Sequence, residues 1–239
     1  MLTNLPVFVT IIIYIAAAIL PALFLMRYIY RKDTVEKEPA GMLISLVFLG
    51  VAAALIAILL ESFGKGVLSA FLVEGTPAYT IVMAFLVVAV AEEGAKFFFL
   101  KRRTWKDPNY NYRFDGIVYS VFLSLGFAAF ENISYVMGYG LTTALLRAVL
   151  AIPGHMGFAV FMGLFYGRAK LCADQGDVRG RKRNLWAAYL SAVVLHGFYD
   201  ACALIGTALS ALLFLAFVIV MYIVVIRMVK KQSQTDAPV

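Results

Sequence analysis

The chain is a succession of long apolar runs joined by short polar connections, with little interleaving of the two. A helix that crosses a membrane needs ~20 mostly apolar residues. By that measure the pattern predicts seven spanning helices, at about 6–28, 41–62, 79–100, 114–137, 143–167, 185–206 and 208–229. No repeat, low-complexity tract or soluble domain interrupts them. The expected fold is therefore all-α, a polytopic membrane helix bundle of about seven transmembrane helices. Residues 1–231 form one transmembrane domain and 232–239 a flexible tail. The first apolar run lacks a basic region ahead of it and is followed by Arg27, Arg31 and Lys32, which reads as an uncleaved first helix rather than a signal peptide.

Composition agrees with this pattern. The chain is 63% hydrophobic with a mean hydropathy of +0.87, which excludes an ordinary soluble domain. Its net charge of +7 raises nucleic acid as a partner, but the basic residues flank the spans instead of forming a patch, so none is expected. They also sort by side. Arg27 to Lys37, Lys101 to Arg113, Arg168 to Arg183 and Arg227 to Lys231 fall on one face, against only Lys65 and Arg147 on the other. The positive-inside rule then puts the N-terminus outside and the C-terminus in the cytoplasm of a multi-pass plasma-membrane protein, with the bilayer as its constant partner. Cys172 and Cys202 form neither a disulfide framework nor a zinc ribbon.

Ionisable residues inside the spans change the picture. A charge at bilayer depth costs at least ~2.5–3.5 kcal/mol and marks function by default. The third span carries Glu92, Glu93 and Lys96; the fourth, Glu131 and Asn132; the fifth, His155; the sixth, His196 and Asp200. At 1.5 Å per residue, Glu92 and His155 lie about 20 and 18 Å from the outer end, and His196 about 16 Å from the cytoplasmic end. These three share a level, with Asp200 and Glu131 above them. His196 and Asp200 are four residues apart, so the carboxylate can fix the tautomer of the ring. Lys96 can pair with Glu92 at i+4 or Glu93 at i+3. Consecutive helical positions diverge by about 100°, which gives Glu92 and Glu93 different tasks. Pro153-Gly154 can kink the fifth span just before His155.

Taken singly, each feature also has a structural reading: a buried ion pair, or a polar contact tying two helices together. Phe97 to Phe99 and Phe158, Phe161 and Phe165 read as packing. The coincidence of two histidines and several carboxylates at one depth on four helices points to chemistry. Peptide hydrolysis by a glutamate-activated water, with imidazole donors to the oxyanion, fits the set. Metal-assisted hydrolysis by His155, His196 and a carboxylate fits less well, because no two histidines lie one turn apart. A proton- or ion-coupled transporter or sensor is the alternative, although the chain has no inverted repeat.

At these residues the sequence resembles the PrsW family of intramembrane proteases. The matching motifs are Glu92-Glu93-x-x-Lys96, the run from Phe114-Asp115-Gly116 to Gly126-Phe127-Ala128-Ala129-Phe130-Glu131-Asn132, His155 with Gly157-Phe158, and His196-Gly197-x-x-Asp200. They cover about residues 79–203, within the helices at about 79–206 that are expected to carry catalysis. The family looks distantly similar to type II CAAX prenyl endopeptidases and to a scaffold subunit of gamma-secretase. The resemblance implies a metal-independent, glutamic-type peptidase with no cofactor. Its substrate would be a single-span bacterial membrane protein, an anti-sigma factor cut near the outer side during envelope stress. It further implies Glu92 as the base, Glu93 as a supporting carboxylate, and His196, positioned by Asp200, as the group orienting water or the oxyanion. His155 would be a second contact at the scissile carbonyl, Lys96 a charge partner for one glutamate, and Glu131, Asn132 and Phe127 site-lining supports. A polar cavity among the third to sixth spans is expected, with the first, second and seventh as scaffold.

Overall fold

The computed structural model describes residues 6–239. Its helices are α1 (Val7–Lys32), α2 (Ala40–Leu68), α3 (Pro77–Val82), α4 (Val90–Thr104), α5 (Asp115–Tyr139), α6 (Leu141–Val149), α7 (Ala151–Asp174), α8 (Val178–Leu204) and α9 (Ala208–Gln234). A π-helical segment, Met83–Ala89, joins α3 to α4 in one continuous run. Among the described residues the only extended pairing is an isolated bridge between Tyr112 and Pro238. Six helices, counting Leu141–Asp174 as one, are long and apolar enough to cross a membrane. The run from α3 to α4 completes a bundle of about seven; the π-helical segment divides it into α-helices of 6 and 15 residues, each too short to cross a membrane by itself.

Local chemistry sets the helix ends. Thr76 caps α3 by accepting from the Tyr79 N–H, and Pro77 takes the first turn, where an N–H is not needed. Asp177 caps α8 through the Gly180 N–H, and Thr207 and Ser210 cap α9 reciprocally. Gly140, at φ 85°, lets the chain turn between α5 and α6.

The predicted fifth span is broken at Leu150. Pro153 has no N–H to give the Val149 carbonyl four residues earlier. That carbonyl instead accepts from the Tyr222 hydroxyl of α9, 2.7 Å away.

Helix α5 is the axis of the bundle, buried from Asp115 to Ala128. Lipid offers little hydrophobic drive for helix association, so close backbone approach and interhelical hydrogen bonds do the work. A Cβ at Gly50 of α2 would run into the Leu123 carbonyl, and one at Gly126 into Val47. On the opposite flank the Ser120 and Ser124 hydroxyls donate to the Ala159 and His155 carbonyls of α7, at 2.7 and 3.1 Å. Large apolar side chains such as Phe48, Leu59, Phe63 and Leu212 point outward, as a lipid-facing surface requires.

At the basic end, Asp33 and Glu38 of the α1–α2 loop are buried, and Tyr119 donates to Glu38. Residues 232–234, expected in a flexible tail, continue α9. Beyond them Arg113 N–H donates to the Ala237 carbonyl at 3.1 Å, Val239 N–H to Asn111 at 3.0 Å, and Phe114 N–H to Asp236 Oδ1 at 2.9 Å. The last residues are tied down by backbone groups and one aspartate, which leave no hydrophobic pattern in the sequence.

Candidate active site

The site is organised around the Lys96 ammonium. Its Nζ lies 3.0 Å from Glu92 Oε2, 2.8 Å from Glu93 Oε1 and 3.2 Å from His155 Nδ1. Three N–H donors thus meet three acceptors, and the Phe127 ring closes the remaining side at 3.9 Å from its centroid. An ammonium that is 1% exposed needs such a complete set, since an unpaired buried charge is strongly unfavourable.

Two chains of contacts leave this centre. Glu93 Oε1 also faces His196 Nδ1 at 2.8 Å, and the other nitrogen of that ring lies 3.4 Å from Asp200 Oδ2. Phe158 stacks on the His196 ring at 4.9 Å and 17°. In the second chain, His155 Nε2 lies 3.0 Å from Glu131 Oε2. With Nδ1 accepting from Lys96, His155 carries its proton on Nε2 and donates it to Glu131. Arg147 of α6 donates to Glu131 at 2.8 Å and to Asn132 Oδ1 at 2.9 Å, while Asn132 donates to the Ala18 carbonyl of α1 at 2.9 Å.

All the expected site residues therefore come together: Glu92, Glu93, Lys96, Phe127, Glu131, Asn132, His155, His196 and Asp200 form one contiguous network. The two neighbouring glutamates do different things, as their angular separation requires. Glu92 lines a cavity of about 860 Å³, whereas Glu93 is fully buried behind it. Glu93 Oε2 is buried with no hydrogen-bond partner among the described residues, an uncommon state for a carboxylate oxygen.

The cavity extends from Glu92 and His196 toward the end remote from the basic loops, past Glu131, Arg147 and Tyr199. Its walls are not confined to the third to sixth spans. Glu61 of α2 and Ser210 and Phe214 of α9 line it as well, so the second and seventh spans are part of the site and not only scaffold.

Glu61, Arg147 and Tyr199 were not expected at the site, and Phe158, although part of the motif with His155 and Gly157, read as packing. Glu61 sits at the expected end of its span, where a carboxylate is unremarked, but α2 runs on to Leu68 and carries it inside. Arg147 reads as a topology charge, yet it lies within an apolar run only eight residues before His155. Phe158 follows His155 by three positions, which puts both on one helical face, but an aromatic at that spacing is ordinary packing.

The atoms of Glu92, Glu93 and His155 lie within 4.8 Å of one another, a donor set with metal-binding character. The Lys96 ammonium stands within 3.2 Å of an atom of each of them. A metal ion at that position would have to displace it, so the set as arranged is fitted to an ammonium and does not fit a metal.

A family model described as PrsW family intramembrane metalloprotease matches residues 38–228. The chain is 37% identical to a Protease PrsW of Geobacillus kaustophilus over 186 residues, 78% of this chain and 77% of that relative. It is 34% identical to one of Bacillus subtilis over 224 residues, 93% and 96% of the two chains, and 33% identical to one of Halalkalibacterium halodurans over 93% and 98%. No solved structure matches the chain.

Proposed function

Since the chain belongs to the PrsW family of intramembrane proteases, we propose that it hydrolyses a peptide bond of a single-span bacterial plasma-membrane protein by a glutamate-activated water, without a metal. The observation that carries this reading is the division of labour around Lys96. Glu92 faces the cavity, while Glu93 is held by Lys96 and His196 behind it. Glu92 takes a proton from a water that attacks the scissile carbonyl carbon, then returns it to the departing amine nitrogen as the C–N bond breaks. His196 borders the cavity through the nitrogen that faces Asp200, and that looser contact can be exchanged for the developing oxyanion. His155 has both nitrogens engaged, which makes it a positioning residue for Lys96 and Glu131 rather than a donor to substrate.

The ammonium in the place a cation would take supports a metal-free reaction over the metal-dependent one that the family's description as metalloproteases suggests. An anti-sigma factor suits the site as substrate: its single helix brings a scissile bond to bilayer depth, and the cavity is reached from the face assigned to the outside. Such a bond must be unwound to be cut, and non-helical backbone is tolerated in a membrane only where a polar cavity receives it.

The test is cleavage of a single-span anti-sigma-type reporter by the purified protein in liposomes. Wild type cuts, and Glu92→Gln and His196→Ala each lose at least about 10²-fold in rate. Unimpaired cleavage by Glu92→Gln would remove Glu92 as the base.

A further inference from the structure

A second groove, of about 410 Å³, opens on the membrane-facing side between α4 and α8. The two helices are antiparallel, and their residues match level by level. Lys101 and Lys182 stand near the basic end. Phe97 and Trp186 follow four residues, or about 6 Å, deeper, and Gly94 and Tyr189 seven residues, or about 10.5 Å, deeper. A Cβ at Gly94 would stand 3.6 Å from the Tyr189 hydroxyl, so Gly94 and Tyr189 meet at the inner end of the groove. Trp186 and Tyr189 rings lie 6.4 Å apart, and Phe97 and Tyr189 rings 6.1 Å apart, giving the groove an aromatic wall. No acidic side chain lines it, and neither lysine makes an ion pair among the described residues. Both are exposed.

We propose that this groove holds one anionic phospholipid of the leaflet at the basic end. Its phosphate would lie on Lys101 and Lys182, and one acyl chain would run past Phe97, Leu185 and Trp186 to Gly94. Two unpaired lysines at interface depth attract a phosphate, with each basic group adding several-fold to the affinity for an anionic lipid. Aromatic side chains belong at this level of a bilayer. Below the lysines the walls are apolar for about 10 Å, which a soluble phosphate leaves unfilled and an acyl chain fills. A zwitterionic headgroup would bring its own cation against the lysines. The groove reaches the turn that carries the catalytic carboxylates, since Gly94 lies between Glu93 and Lys96. Tyr189 also donates to the Val90 carbonyl, 3.2 Å away, where the π-helical segment gives way to α4. The bound lipid is independent of the proteolytic reading.

Trp186 supplies the readout. The chain has 2 tryptophans, and Trp105→Phe leaves Trp186 alone while keeping an aromatic ring against Tyr166. The variant is reconstituted in phosphatidylcholine vesicles doped with a small fraction of acyl-brominated phosphatidylglycerol or, separately, acyl-brominated phosphatidylcholine. Expected is quenching by the anionic lipid at a concentration on the order of tenfold lower, with the preference abolished by Lys101→Gln/Lys182→Gln and unaffected by millimolar inorganic phosphate. Equal quenching by both lipids overturns the proposal. A preference that survives the double substitution does so too, by assigning the attraction to the basic surface at large. Relief of quenching by inorganic phosphate would make phosphate alone the ligand. Thermal unfolding of the double variant confirms that the fold is retained.

Discussion

At the scale of single residues, Lys96 decides how the site works. One buried ammonium pairs with two glutamates and an imidazole, so its removal leaves two carboxylates facing each other in a membrane interior. Breaking a buried charge network by removing one partner costs about 3–5 kcal/mol. Lys96→Met is therefore expected to lower the thermal midpoint in detergent markedly and to abolish cleavage. An unchanged midpoint would deny the network its structural role. Arg147 acts at one remove, through Glu131 and His155. Arg147→Gln should lower kcat about tenfold with KM altered little, as loss of a positioning contact does, and a purely structural role would show instead as lost stability with kcat intact. These residues differ in how legible they were. Glu92, Glu93, Lys96, His155, His196 and Asp200 stand out because charge inside an apolar run is costly and therefore informative. Glu61 and Arg147 do not, because near the ends of a run a charge costs little and topology explains it equally well.

At the scale of elements, the break between α6 and α7 places Arg147 and His155 on separate helices that meet at Glu131. Pro153 announces that break, but the residue that compensates it, Tyr222, lies in α9 and no local pattern points to it. Tyr222→Phe leaves the Val149 carbonyl without its donor and should destabilise the protein by about 1–3 kcal/mol, read as a lower midpoint of thermal unfolding. The loop between α1 and α2 carries a pH response. Burial pushes Asp33 up to about 6 and Glu38 up to about 7. The folded state then keeps protons that the unfolded chain has lost, so the contribution of these two groups to stability falls as pH rises from about 4 through about 7. Asp33→Asn should raise the midpoint at pH 8 and leave it nearly unchanged at pH 4; equal effects at both would contradict the buried, protonated carboxyl.

At the scale of the whole molecule, the bundle was legible almost entirely from apolar run length, because the bilayer fixes how long each helix must be. The packing order was not. That α5 is the axis follows from close approaches such as Gly50 to Gly126, which depend on partners distant in sequence. Nor could the sequence show that α9 closes one wall of the cavity, since its apolar residues serve lipid and cavity alike. Orientation rests on charge bias, and a reporter fused at each terminus should place the N-terminus outside and the C-terminus inside. The central claim is that Glu92 and an internal ammonium do the work of a metal centre. It is tested most directly by stripping the purified wild-type protein with a strong chelator, measuring its residual metal content, and assaying cleavage of the single-span reporter in liposomes. Full activity with less than stoichiometric metal is the expected result. Activity lost on stripping and restored by one equivalent of a divalent ion would contradict it, and would require Lys96 to yield its place among Glu92, Glu93 and His155.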